Sequence, residues 1–120
     1  MIEGKFGDRG ELFFEIELIA MNGLNLPVDA ILDTGFTEFL AINKQDLGVL
    51  KWTFLRQNEL QTAQGLATFD TYLGKVVIDN QEFEIPIFAG DEVQEILLGC
   101  QWLKMFDLVA RYREGILRLE

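Results

Sequence analysis

With no histidine and a single cysteine among 120 residues, acid–base chemistry in this chain falls mostly to carboxylates. One acid stands out by its setting. Asp33 follows the apolar run Ala30-Ile31-Leu32 and precedes Thr34-Gly35. An acid at the end of an apolar strand is expected to be buried. A buried carboxylate needs hydrogen bonds, or it is neutralised. Thr34 brings a hydroxyl, and Gly35 lets a backbone N–H turn toward the carboxylate. A carboxylate held in this way can take and return a proton. Taken alone, Asp-Thr-Gly reads first as an ordinary turn after a strand, because Asp and Gly are common turn residues.

The rest of the composition narrows the chemistry. Without histidine there is no Ser-His-Asp or Cys-His catalysis and no histidine metal site. Cys100 alone excludes an intrachain disulfide and a CxxC zinc pair. It lies in an apolar run beside Gly99 and reads as a buried structural thiol. Twenty acidic against 10 basic residues give a net charge of -10, which argues against nucleic acid as a partner. No uncharged apolar run approaches the ~20 residues of a membrane span, and Met1 to Lys5 is not of signal-peptide type. The expectation is a soluble, cytoplasmic protein with no membrane partner. Glu15 and Glu17 read as a solvated strand face rather than a metal pair. Arg111, Arg113 and Arg118 read first as a solvated strand face rather than an anion site, with pairing to acidic residues across a dimer as a third reading. A carboxylate-nucleophile phosphohydrolase would need phosphate and magnesium ligands, and the sequence offers no such constellation.

The elements that must position Asp33 are mostly strands. Hydrophobic residues make up 49% of the chain, enough for a packed core, and no linker or low-complexity tract divides residues 1–120, so one domain is expected. Glu11 to Ala20 alternates, with Leu12, Phe14, Ile16 and Leu18 on one face. Asn22-Gly23 marks a hairpin. The return strand, about Leu24 to Leu32, contains Pro27, which points to an edge or a bulge. Phe36 to Ile42 reads as a strand. Asn43 to Gly48 reads as a helical turn with Asn43 as N-cap and Gly48 ending it. Trp52 to Leu60 and Leu66 to Ile78 are strand-like, with Ala63-Gln64-Gly65 as the tip between them. Asp79-Asn80 is a second turn signal before a strand at Glu82 to Phe88. Gln101 to Phe106 is a short helix candidate, and Leu108 to Tyr112 with Ile116 to Leu119 form a terminal hairpin. Trp52, Trp102 and the phenylalanines read as core or interface residues. The pattern predicts a barrel-like all-β domain with one or two short helices.

In its context, Asp33-Thr34-Gly35, preceded by Ala-Ile-Leu and followed by Phe-Thr-Glu-Phe-Leu, resembles the active-site segment of aspartic peptidases. The likeness is to the small retropepsin-like members of clan AA in bacteria and archaea. Ile96-Leu97-Leu98-Gly99-Cys100-Gln101-Trp102-Leu103 resembles the aliphatic-aliphatic-Gly stretch and short helix near the C-terminus of that fold. The resemblance implies a closed β-barrel of the retropepsin type, one lobe per chain. It implies a homodimer whose second Asp33 completes a catalytic pair, a peptide or protein substrate, and no cofactor or metal. It gives Asp33 the catalytic role and makes Thr34 and Gly35 the active-site loop, with Thr34 bonding across to the partner chain. The hairpin around Ala63, Gln64 and Gly65 would be a substrate-binding flap, and Ile116 to Leu119 would join an interchain sheet. Retroviral members have a small residue after the glycine and often an acid next. Here Phe36 and Thr37 hold those positions, and the acid is delayed to Glu38. A catalytically silent binding or dimerisation module with the same fold is the alternative.

Overall fold

The computed structural model describes residues 1–62 and 64–120. Its strands are β1 (Ile2–Glu3), β2 (Lys5–Phe6), β3 (Leu12–Ile19), β4 (Asn25–Leu32), β5 (Leu40–Asn43), β6 (Thr53–Thr62), β7 (Gly65–Ile78), β8 (Gln81–Gly90), β9 (Ile96–Leu98), β10 (Leu108–Arg111) and β11 (Ile116–Leu119). A single α-helical turn, α1 (Leu47–Leu50), and 3-10 turns at Lys44–Asp46, Cys100–Lys104 and Tyr112–Glu114 make up the helical part. No helix among the described residues is long and apolar enough to cross a membrane.

The alternation read in β3 does what such a pattern must: Phe14, Ile16 and Leu18 are buried while Glu15 points out. β3 pairs antiparallel with β4, then β4 runs parallel to β9, β9 pairs β5, β5 runs parallel to β8, β8 pairs β7, and β7 returns to β3. The ring of pairings closes, so the predicted barrel forms, with β2 and β6 as appended edges. Closure removes the edges that an open sheet leaves to other chains. Pro27 lies where β4 pairs β3 on one side only, since β9 begins opposite Ala30. The missing proline N–H therefore costs no ladder bond.

Local departures have physical reasons. The first hairpin closes through Ala20 N–H to Leu24 C=O, with Gly23 at φ +89°. It is a longer loop than the two-residue turn that Asn-Gly favours, and the Asn22 side chain accepts from Leu24 N–H at 3.0 Å. Asp79 and Asn80, by contrast, both take positive φ and join Ile78 directly to Gln81, as a tight primed turn requires. Asn43 caps its turn by accepting from Gln45 N–H at 2.9 Å. The helix continues through Gly48 and stops at Lys51, which is left-handed. The strand expected from Phe36 starts only at Leu40, because residues 36–39 are drawn into a loop held from below. Trp102 and Trp52 are buried, and Trp52 donates to Ile19 C=O at 2.8 Å.

A second sheet, β1-β11-β10, lies at the chain ends. β11 is its central strand, flanked on both sides within the chain. Within the single chain both edges of Ile116 to Leu119 are occupied, by β1 and by β10.

Barrel packing is tight enough to dictate a glycine. A Cβ on Gly74 in β7 would collide with Ile87 Cδ1 and lie 3.0 Å from the Trp52 ring. Gly74→Ala should therefore overpack the barrel and cost about 1–3 kcal/mol. Urea unfolding monitored by tryptophan fluorescence checks this, and unchanged stability would contradict the packing described.

Candidate active site

Asp33 follows the last residue of β4, and its backbone N–H donates to Leu98 C=O at 2.9 Å, extending the parallel ladder by one bond. The chain then turns, with Phe36 N–H donating to Asp33 C=O at 3.1 Å. Within this turn Gly35 N–H donates to the Asp33 Oδ1 at 2.9 Å. The expected backbone contact from Gly35 is present. The other expectation was burial, and it does not hold within one chain: Asp33, Thr34 and Gly35 are all exposed. The apolar run ends at Leu32, which is buried, and the next peptide lifts the carboxylate out of the barrel. No cation pairs with Asp33 among the described residues. The Thr34 hydroxyl likewise has no hydrogen-bond partner among them.

The loop is exposed but not loose. Gly99 N–H donates to Phe39 C=O at 2.9 Å and Cys100 N–H to Phe36 C=O at 2.8 Å. Gln101 Nε2 donates to Thr37 C=O at 2.8 Å, and the buried indole of Trp102 donates to Phe39 C=O at 2.8 Å. Segment 99–102 thus satisfies the carbonyls of the loop, which would otherwise be unpaired near the core. Cys100 is half-buried and contributes its backbone to this clamp. Gln101 and Trp102 were legible as part of a helix and a core but not as the donors that hold the loop. The glycine ahead of a helix that starts with polar and indole donors is the signal that points to them.

Phe36 leaves the loop on the other side and enters a second apolar cluster with Ala41, Phe69, Phe88, Val93 and Leu97. Leu60 and Ala67, from the two arms of the β6–β7 hairpin, pack on the same cluster. The hairpin and the Asp33 loop therefore share one apolar cluster, in which Phe36 meets Phe88 edge to face at 6.3 Å. Of the expected flap tip, Gln64 and Gly65 close the hairpin, with Gly65 at φ +111°. Ala63 lies outside the described residues.

A closed barrel whose parallel β4–β9 pair presents an Asp-Thr-Gly loop is the retropepsin-like fold. Solved structures of that fold match the chain along most of its length. A retropepsin-like aspartic protease from Rickettsia conorii is 23% identical over 98% of this chain and 88% of its own, with a TM-score of 0.63. EIAV protease complexed with the inhibitor HBY-793 is 14% identical over 83% of this chain and 91% of its own, with a TM-score of 0.64. Simian foamy virus (mac) protease is 19% identical over 77% of this chain and 94% of its own, with a TM-score of 0.53. No protein-family model and no curated protein matches the sequence.

The clamp rests on one close approach. A Cβ on residue 99 would overlap the Glu38 carbonyl oxygen and lie 2.8 Å from that of Phe36. Both obstacles are backbone, so neither can rotate away. Gly99→Ala should cost at least about 3 kcal/mol, beyond what ordinary overpacking costs. Thermal and urea unfolding measure it, and a variant within about 1 kcal/mol of wild type would show that the loop is not held in this way.

Proposed function

We propose that the chain is an aspartic endopeptidase that works as a homodimer, one Asp33 from each subunit. The observation that carries this reading is the Asp33 carboxylate itself. It is presented to solvent at a barrel rim, on a loop whose backbone is fixed from beneath. A lone exposed carboxylate is a weak acid–base catalyst. Two brought together by a two-fold axis cannot both ionise cheaply, so they share one proton. The ionised member takes a proton from a water held between them, and the protonated member polarises the substrate carbonyl. Water adds to the carbonyl carbon, and the tetrahedral diol collapses as the proton passes to the leaving amine. The reaction needs no cofactor. The β6–β7 hairpin, packed on the same cluster as Phe36, is placed to cover a bound peptide and exclude water.

The exposed Thr34 hydroxyl fits the role of a bond across the two-fold to the partner loop. Thr34→Val keeps the shape and removes the donor. Each lost buried hydrogen bond costs about 1–3 kcal/mol, and symmetry removes it twice. The dimer dissociation constant measured by sedimentation should rise, and an unchanged constant would remove this role.

Asp33→Asn tests the chemistry. The substitution keeps size and the acceptor for Gly35 N–H but cannot accept the water's proton. Incubated with a diverse peptide pool, wild type should cleave and be blocked by an aspartic-peptidase inhibitor. The variant should remain a folded dimer without detectable turnover. Cleavage by Asp33→Asn at the wild-type rate would end this mechanism. A dimeric wild type that cleaves nothing in the pool would favour a silent binding module.

A further inference from the structure

We propose that Phe36 sets the specificity of the site. Its ring fills the floor of the cleft beside the reacting bond, so the chain takes peptides with glycine, alanine or serine where their side chains face that ring and rejects larger ones. The inference rests on the peptidase reading and names a substrate class for it.

The cleft floor can be read from the second apolar cluster. Its fully buried members are Ala41, Phe69, Phe88 and Val93, and its partly buried members include Phe36, Leu60, Ala67 and Leu97. Partly buried members mark the side of a cluster that is open to water. Here they come from the Asp33 loop, both arms of the β6–β7 hairpin and β9. The open side is therefore the strip between the loop and the hairpin, where a peptide held at Asp33 under the hairpin must lie. Phe36 is the largest of these four side chains. Its ring stands edge to face on Phe88 at 6.3 Å, and Phe69 meets the same ring at 6.4 Å. Phe88 is buried as a result, and the space above it is taken by this chain's own side chain.

The distance to the chemistry follows from the turn. Phe36 N–H donates to Asp33 C=O at 3.1 Å, and the ends of such a turn lie within about 7 Å of each other. Residues of an extended peptide are about 3.3 Å apart and alternate in direction. A substrate residue one or two positions from the bond held at Asp33 therefore points at the ring. Both ends of Phe36 are held, the backbone by Cys100 N–H at 2.8 Å and the ring by Phe88. A leucine or phenylalanine side chain arriving there meets a filled floor, and overpacking an apolar cluster is costly. The two-fold axis of the proposed dimer repeats Phe36, so the restriction falls on both sides of the bond.

Cleavage of a peptide library randomised at two positions on each side of the bond, with products identified by mass spectrometry, reads the restriction directly. For wild type, one position on each side should be confined to Gly, Ala and Ser. Leucine there should lower kcat/KM at least about tenfold. A wild type that takes leucine or phenylalanine equally well at all four positions would overturn the proposal. Phe36→Ala should raise kcat/KM for the leucine peptide at least about tenfold relative to the alanine peptide. A Phe36 that only supports the fold would lower both rates together, and an unchanged ratio would overturn the proposal. If Phe36→Ala does not fold, Phe36→Val keeps an apolar side chain in the cluster and should move the same ratio at least about threefold. Binding separates this inference from the reading beneath it. Asp33→Asn keeps the cleft without turnover, and fluorescence anisotropy measures its affinity for peptides carrying alanine or leucine at those positions. Tighter binding of the alanine peptide beside a wild type that cleaves nothing counts against the peptidase reading alone. Cleavage without discrimination counts against Phe36 alone. Neither binding nor cleavage of the library overturns both.

Discussion

The backbone crossing between Glu38 and Gly99 is the contact on which the rest of the site depends. Two segments pass so closely that no side chain fits between them. That approach lets the parallel β4–β9 pair run one bond past its last residues, through Asp33 N–H to Leu98 C=O. It also brings Gly99, Cys100, Gln101 and Trp102 within donor reach of the carbonyls of residues 36–39. A loop that presents side chains to solvent has conflicting needs: those side chains must reach water, while its peptide groups must find partners. Here the donors come from beneath, so the Asp33 carboxylate can be exposed without the loop being free to move. The indole of Trp102 serves twice, filling the core and closing the bond to Phe39, with Phe39 and Phe83 edge-on at 5.0 and 5.1 Å.

The same economy ties the long hairpin to the barrel. β7 spans Gly65 to Ile78 and so belongs to the barrel at one end and to the projecting hairpin at the other. Where the two regimes meet, Thr71 is buried and bonds the Asn58 side chain at 2.7 Å, fixing β6 to β7. Lys44 lies 3.6 Å from Asp70 and 3.7 Å from Asp91. Ion pairs this open to water contribute at most about 1 kcal/mol each, so apolar packing of Phe69 against Phe88 does more to hold the base. Beyond that base the hairpin has little to rest on: Leu66 is 70% exposed.

Much of this was legible in the sequence wherever one local rule acts alone. Strict alternation gave β3, and Asp79-Asn80 gave its turn, because each depends on a few adjacent residues. Pro27 pointed correctly to an edge. The errors share a cause. The expected strand at Phe36 is a loop because residues 99–102, distant in sequence, compete for its carbonyls. Within one chain Asp33 is exposed where burial was expected, because the apolar run before it says where a strand is buried, not where it emerges. Ile116 to Leu119 forms the expected strand and pairs β10 as expected, but its second neighbour, β1, comes from the far end of the chain. Asn43 capped a turn as expected, yet Gly48 did not end it, since α1 buries Leu50 and gains more by continuing. Local pattern identifies elements, whereas long-range pairing decides their ends and neighbours.

Phe36 shows how that long-range organisation reaches the Asp33 loop. It stands three residues after Asp33 and shares its backbone carbonyl with Cys100 N–H, so its peptide is fixed by the barrel. Its ring is fixed by Phe88 and lies in the cluster that Leu60 and Ala67 complete. A small residue here would leave the hairpin arms and the loop to pack separately. With phenylalanine, the loop and the arms pack on the same buried residues. Packed apolar clusters tolerate little free volume. The Asp33 loop and the hairpin arms therefore meet in one packed cluster, with Phe36 as the side chain the loop contributes to it.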